Sequence, residues 1–448
     1  MEQTTLPRPA LGARSEQPPA SRIPALLQAH RYARDPLGFV IPLQRRYGHI
    51  FSLKFPFYER IYYVTDPALV KALVTGPPEQ FHAGEANGTV SKLALGPNSI
   101  LTLDGAPHMR QRKLLLPPFH GERIKRHGEL IREMTQKQMA SWTPGKTFAL
   151  RPHTRRITLA VIMGAVFGSH DEDRLKRFEK LTDDFSKGLS VITTYPLLRR
   201  NLGPASPLPR FLRSRERLDR FIYEEIGLRR KEVEAGEEGH DDVLSLLLQA
   251  RHDDGTPMSD EELRDEMVSV LGAGHETTAT GLAWAMERLL RTPRVLAKLR
   301  ASVAAGEEAY LNATVKETLR ARPVIADVGR RLTAPAEIGG YLLPKGSFVM
   351  APVAALHYRE DLFPKPEEFR PERFLEERAD NYAWIPFGGG VRRCIGAAFA
   401  EYEMRTVLRE FVRADLSAPD PKPEAVRIHH ATLAPKKGTR VRLNRPLR

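Results

Sequence analysis

Between residues 105 and 320, apolar positions recur at three- and four-residue spacing and are interrupted mainly by Gly, Pro and Asp. That pattern predicts a succession of amphipathic helices. Strand-like patterning is confined to the two ends of the chain. His49–Lys54 and Arg60–Val64, the second rich in β-branched and aromatic residues, predict two strands inside an otherwise helical stretch, 35–80. Residues 327–357 predict further strands with a turn at Pro344-Lys345-Gly346, and the last 25 residues predict a β-hairpin. Helices dominate, so the expected class is mainly α with minor β. The longest predicted helix opens at Ser259, where Ser259 and Glu262 form a capping-box pattern, and runs to about Leu290. The longest apolar run, Leu159–Phe167, has nine residues, too few to cross a bilayer.

Composition narrows this picture. An apolar fraction of 41% with 28% charged residues is that of a globular chain able to bury a large core. The head carries Pro7, Arg8, Pro9, Arg14, Pro18 and Pro19 and has no apolar core segment. It is expected to be a flexible segment over 1–22, without signal peptide or anchor, ahead of one domain over 23–448. A single cysteine permits no internal disulfide, in keeping with a reducing cytoplasm. The formal net charge of +14 fits an acidic partner or a solvated surface. The basic residues are dispersed and no nucleic-acid-binding signature is present, so no nucleic acid is expected as a partner. Arg199, Arg200, Arg210, Arg213, Arg215 and Arg217 do cluster, with acidic residues following them.

Five short stretches carry candidate chemistry. Ala273-Gly274-His275-Glu276-Thr277-Thr278 places a glycine and two threonines inside the long helix, where they are poor choices. The Thr277 hydroxyl can compete for the Ala273 carbonyl and bend the helix. A local rule broken in this way is expected at a functional site. The sole cysteine lies in Phe387-Gly388-Gly389-Gly390-Val391-Arg392-Arg393-Cys394-Ile395-Gly396, just before a helical run, where exposed N–H groups favour a thiolate. Glu317 and Arg320 share one helical face, and about fifty residues on comes Phe369-Arg370-Pro371-Glu372-Arg373-Phe374. His108 and Arg112, four apart, also share a face.

The run Phe387-x-x-Gly390-x-Arg392-x-Cys394-x-Gly396 resembles the haem-binding signature of the cytochrome P450 family, and the mid-helix stretch resembles that family's oxygen-binding motif. The resemblance covers roughly residues 35–445 and implies the P450 fold, with haem b as cofactor and Cys394 as axial ligand of its iron. A thiolate there favours O–O cleavage. It further implies that Phe387 shields the sulfur, that Gly390 lets the backbone approach a flat ligand and that Gly396 keeps side chains away from the ring. Ala273 and Gly274 would give room over the haem face. His108, Arg112, Arg392 and Arg330 would hold the propionates, with Arg331 a rival for Arg330. Glu276 would relay protons and Thr277 would donate a hydrogen bond toward dioxygen. Glu317, Arg320 and Arg373 would form a buried charge network. One departure is the short stretch between the long helix and Glu317, which trims a surface helix.

The implied activity is insertion of one oxygen atom into an apolar small molecule, by hydroxylation or epoxidation. Electrons would come from a ferredoxin and ferredoxin reductase, because one cysteine cannot build an iron–sulfur cluster. Arg393, Arg110 and Lys113 are the candidate docking residues. The chain resembles the soluble bacterial type, hence a cytoplasmic monomer with no membrane partner. A peroxide-driven or isomerising haem-thiolate enzyme is the nearest rival, and usually lacks the acid–alcohol pair. A non-enzymatic haem sensor would need no proton relay. By resemblance the substrate walls include Leu93, Ile192, Val270, Val324, Val328 and Leu433, and the loop near Ala431. They are mostly aliphatic, which favours an apolar substrate, while Asp327 and His429 could orient a polar group but are expected to face solvent.

Overall fold

The computed structural model describes residues 17–56, 60–119, 121–168, 171–235, 241–429 and 432–447. Backbone contacts divide the chain into two units, one made of 1–86, 291–394 and 423–437, the other of 87–290, 395–422 and 438–448.

The first unit is built on a five-stranded sheet in the order Ile50–Lys54, Arg60–Val64, Phe348–Pro352, Asp327–Leu332, Phe81–His82. Arg60–Val64 runs parallel to Phe348–Pro352, and the other neighbours are antiparallel. Alternation along the strands fills two cores. Ile50, Tyr62 and Val64 pack with Val70, Leu73 and Val349, while Phe51, Leu53, Ile61 and Tyr63 pack with Phe39, Val40 and Leu43. Two helices packed on this sheet, Pro36–Tyr47 and Pro67–Thr75, open on aspartates: Asp35 accepts from the Gly38 N–H (3.0 Å) and Asp66 from the Ala68 N–H (2.9 Å). The Ser52 N–H donates to Pro19 O (2.8 Å) and the Ser21 N–H to Ser52 O (3.1 Å). Residues 19–21 of the expected flexible head are thus tied to the sheet, and residues 1–16 lie outside the described residues. A single helix, Pro293–Ala304, separates the long helix from Ala309–Ala321, which carries Glu317 and Arg320.

The second unit is mostly helical. Its longest helix, Asp260–Arg291, starts with the reciprocal cap written in the sequence: the Ser259 N–H donates to Glu262 (2.8 Å) and the Glu262 N–H to Ser259 Oγ (3.2 Å). At 32 residues it is about 48 Å long. Small residues Ala279, Gly281, Ala283 and Ala285 let its second half sink into the core, where Trp284 is fully buried. No helix among the described residues is long and apolar enough to cross a membrane.

The chain's tail departs from the single hairpin expected of it. Val426–His429 and Thr432–Pro435 form that hairpin within the first unit, whereas Arg440–Leu443 pairs with Thr147–Ala149 and Leu416–Ser417 in the second. Strand pairing over hundreds of residues decided this, and local patterning carries no information about it.

Candidate active site

The thiol loop belongs to the first unit. Gly388 and Gly390 both have left-handed backbone, φ 68° and 62°. A Cβ on Gly390 would lie 1.9 Å from the Val74 carbonyl oxygen, so only glycine lets this turn approach the helix Pro67–Thr75. The turn closes when the Cys394 N–H donates to Phe387 O (2.9 Å). Behind it, the Gly388 N–H donates to Ile385 O (3.0 Å), and the Ile385 N–H donates to His357 Nε2 (3.1 Å). His357 is fully buried, and its Nδ1 faces Arg320 O at 3.2 Å. One ring nitrogen donates and the other accepts, which fixes a neutral tautomer. Burial, with the Arg320 charge beside it, pushes the pKa of His357 down to about 3. Cys394 itself is exposed, an unusual position for a cysteine.

His357 joins this loop to a buried ionic cluster. The Glu317 carboxylate takes a two-pronged contact from Arg320 (2.7 and 2.9 Å), a contact from Arg373 Nε (3.1 Å) and the Arg370 N–H (2.8 Å). Glu317 and Arg320 are fully buried. The remaining guanidinium hydrogens go to backbone carbonyls: Arg320 to those of His357 and Pro366, and Arg373 to that of Pro364. Every charge in the cluster is met by opposite charge or a carbonyl, the condition under which burial is tolerable.

Strand parity separates the two rival arginines. Arg330, buried, shares a strand face with Val328, whose side chain borders Gly388 of the thiol loop. Arg331 is on the opposite face, its guanidinium over the Phe348 ring at 5.3 Å. Asp327 is also on that opposite face, half-exposed, so the solvent-facing position expected of it is only partly met. Its carboxylate accepts a hydrogen bond from Tyr32 (3.0 Å), and burial raises its pKa to about 7.

In the second unit the middle of the long helix is disturbed in the expected place. Thr277 Oγ1 donates to Ala273 O (2.6 Å), His275 Nδ1 lies 2.7 Å from Leu271 O, and Thr158 and Thr154 of the helix Arg151–Phe167 donate to His275 O and Ala279 O (2.8 and 2.9 Å). Gly274 corrects an expectation. A Cβ there would sit 2.8 Å from Ile162 Cδ1, so this glycine serves helix packing rather than open space. The exposed positions are Gly272 and Ala273.

Glu276 is held by partners that its local sequence does not announce. Arg151 bonds one carboxylate oxygen, Arg155 Nε approaches the other at 3.2 Å, and His275 stands 4.0 Å away. Burial pushes His275 down to about 4, so the histidine is neutral and the positive charge beside Glu276 is that of the two arginines. Behind the adjoining Thr278 lies buried Glu403, whose side chain bonds Thr278 and whose pKa burial raises well above the carboxylate range. His108 is buried and Arg112 half-exposed on the helix Gly105–Leu115, and Arg392 is half-exposed in the short turn Gly390–Arg392.

The sequence profile of the cytochrome P450 family matches residues 17–439. The chain belongs to the cytochrome P450 family. Cytochrome P450 135B1 of Mycobacterium tuberculosis is 39% identical to it over 433 residues, 95% of this chain and 91% of that protein. Cytochrome P450 135A1 of the same organism is 35% identical, with 95% of each chain covered. Among solved structures, the retinoic acid-bound cyanobacterial P450 CYP120A1 matches with a TM-score of 0.81 at 25% identity, covering 95% of this chain and 98% of that one. The haem domain of cytochrome P450DA gives 0.82 at 24% identity, with 96% and 97% covered, and shares the fold. P450 enzymes are in general haem-thiolate monooxygenases, and this chain is a P450 monooxygenase.

The residues of this P450 fit a haem. A side chain at Gly396 would meet no protein atom within 4 Å, and its φ of −82° suits any residue, so the protein's own packing does not demand glycine there. In the first unit the exposed thiol and the buried guanidinium of Arg330, and in the second the exposed small residues at 272 and 273 and the buried His108, each have the chemistry that suits a flat dianionic macrocycle with a metal at its centre.

Proposed function

We propose that this P450 uses haem b to insert one atom of dioxygen into an apolar small molecule, by hydroxylation or epoxidation, with electrons from a ferredoxin and its reductase. The observation that carries the reading is the exposed Cys394 thiol at the end of a loop pinned by Phe387 O and, through Ile385, by His357. Bound haem supplies an iron whose thiolate ligand favours O–O cleavage. Cys394 is that ligand. Phe387 shields the sulfur, and Gly396 and Ala273 leave room for the ring. Arg330, Arg392, His108 and Arg112 hold the propionates, and Arg330 is preferred to Arg331 because it shares the Val328 face. Glu276 and Thr277 handle protons. Glu276 must leave Arg151 and Arg155 to collect one, and the Thr277 Oγ1 proton, held on Ala273 O, must turn outward to donate.

Val270, Val324, Val328 and Leu433 favour an apolar substrate. The retinoic acid bound by the cyanobacterial relative is a molecule of that character. The loop near Ala431 lies outside the described residues. Arg393, exposed, is the leading docking cation for an acidic ferredoxin, whereas Lys113 already pairs with Asp253. The chain from residue 23 on works as one domain, as a cytoplasmic monomer.

The test is spectroscopic and then kinetic. Purified protein should show the red-shifted ferrous–CO Soret band of thiolate ligation, and Cys394→Ser should lose it together with turnover. Product should form with a ferredoxin–reductase system. A histidine-type CO spectrum in folded protein, or turnover with peroxide alone, sinks the reading.

A further inference from the structure

The long helix Asp260–Arg291 turns a polar face toward the chain that leads into the helix Gly105–Leu115. Glu262, Asp265, Glu266 and Ser269, at i, i+3, i+4 and i+7, share one stripe of its surface, and the last three are buried. Such a stripe on a packed helix is ordinarily aliphatic. Here it binds main chain. Asp265 Oδ2 accepts from the Asn98 N–H (2.9 Å) and Glu266 Oε1 from the Ile100 N–H (2.9 Å), and between them Ser99 Oγ and Ser269 Oγ share a hydrogen bond (2.6 Å). The neighbouring Arg264 donates to Leu95 O (2.9 Å). The segment held in this way is itself folded tight: the Thr102 N–H donates to Ser99 O (2.8 Å) and Thr102 Oγ1 to Gly96 O (2.9 Å). The helix that follows begins at Gly105, and its first turn carries buried His108. One turn further on, Gln111 Nε2 donates to Glu262 Oε1 (3.0 Å). All of these residues belong to the second unit.

An aliphatic stripe would hold the same segment with less discrimination. Dispersion contacts tolerate sliding, whereas hydrogen bonds to particular N–H groups do not. Glu266 is the member of the stripe most at odds with its surroundings. Its side chain is wholly buried, and its Oε2 meets no partner among the described residues. Burial, reinforced by Asp265 and Glu262, raises its pKa well above the carboxylate range. A polar group placed so unfavourably in a core, with its other oxygen on the Ile100 N–H, is explained by what that bond fixes. A shift of the segment 98–102 would pass directly to His108 at the start of the next helix. Arg112, at the far end, stands next to the separate Gln111–Glu262 contact. We propose that Glu266, seconded by Asp265, is a positioning residue that sets His108 for its haem propionate. The inference rests on the haem role proposed for His108.

Haem release from the full-length holoprotein into excess apomyoglobin tests this without turnover. Glu266→Leu fills the same space but cannot accept from the Ile100 N–H. It should release haem about tenfold faster, the usual effect of removing a group that orients a ligand from behind. Glu266→Gln, whose amide oxygen still accepts, should keep the parent's rate. In the haem-free protein, Glu266→Leu should speed amide exchange at Ile100 and leave that of the core residue Trp284 unchanged. His108→Ala should itself release haem faster. Adding Glu266→Leu to it should change the rate by less than about twofold, because the residue acted through is gone. Parent-like release from Glu266→Leu, equal release from the Gln and Leu variants, or exchange that rises equally at Ile100 and Trp284 would each overturn the proposal. Independent effects of the two substitutions in the double variant, with His108→Ala alone faster than the parent, would strike the proposal and leave the haem role of His108 standing. His108→Ala releasing haem at the parent's rate would strike that role, and the proposal with it.

Discussion

Two glycines of the thiol loop provide a controlled comparison. Gly388 and Gly390 have nearly the same left-handed backbone, φ 68° and 62°, so an alanine at either carries the same conformational penalty, about 1–2 kcal/mol. They differ in what the added methyl meets. At 388 the nearest atoms are the Val328 methyls at 3.9 Å, an ordinary contact. At 390 the methyl would lie 1.9 Å from Val74 O and 2.8 Å from Val74 C, and helical backbone cannot step aside as a side chain can. The turn must retreat by more than an ångström, adding an overpacking cost of about 1–3 kcal/mol. It would drag with it the Cys394 N–H bond to Phe387. Gly388→Ala should therefore unfold about 1–2 kcal/mol more easily and keep its thiolate spectrum. Gly390→Ala should lose about 2–5 kcal/mol and much of its red-shifted CO band. Denaturant titration and the CO difference spectrum measure the two effects separately. Equal losses in the two variants would mean that backbone strain alone governs the loop and that the approach to Val74 is not tight.

Three further outcomes follow. Arg320→Ala removes the two-pronged contact to a fully buried carboxylate and should cost about 3–5 kcal/mol, while Arg373→Ala should cost less because Arg320 still holds Glu317; thermal unfolding that ranks them the other way refutes this. Asp327 keeps its proton up to about pH 7 in the folded protein but loses it near pH 4 when unfolded, so the native state binds more protons between those limits. Its contribution to stability therefore falls as pH rises from about 4 to about 7; Asp327→Asn should remove that part of the slope, and unchanged slopes in the two proteins would refute the burial argument. Thr277→Ala should retain haem and substrate binding but divert electrons to peroxide, whereas Thr278→Ala should mainly lower the melting temperature by stripping buried Glu403 of its hydroxyl partner. If both variants stay fully coupled in product-per-electron assays, the proton route is wrong.

What could be read from the sequence was local chemistry. The cap of the long helix is spelled by Ser259 and Glu262 because both partners lie within one turn. Arg60–Val64 is legible as a strand because its side chains suit a pleated surface on both faces. Spacing alone also placed Thr277 against the Ala273 carbonyl. The partners of Glu276 were not legible: Arg151 and Arg155 precede it by more than a hundred residues, and no spacing rule links them. Gly274 misled because a glycine looks the same whether it makes room for a ligand or for Ile162. The Tyr32 partner of half-exposed Asp327 was not legible because a strand's two faces are told apart only by its neighbours, here by the register with Phe348–Pro352 and the position of Tyr32. The only sequence signal for His357 was a histidine in an apolar run, Val353–Leu356, which marks burial but not the Ile385 amide it receives.

The pinned loop has a thermodynamic consequence. Each bond that shapes 385–394 runs to another protein group: Ile385 to His357, Gly388 to Ile385, Cys394 to Phe387. Freezing a residue's backbone costs about 1–2 kcal/mol of entropy, so a loop of this length left to order itself on cofactor arrival would subtract about 10 kcal/mol or more from the affinity. Here that entropy is lost when the chain folds. The protein without cofactor should then show slow amide hydrogen exchange at Ile385, Gly388 and Cys394, and cofactor capture should proceed in a single kinetic phase, with no slower loop-ordering step behind it.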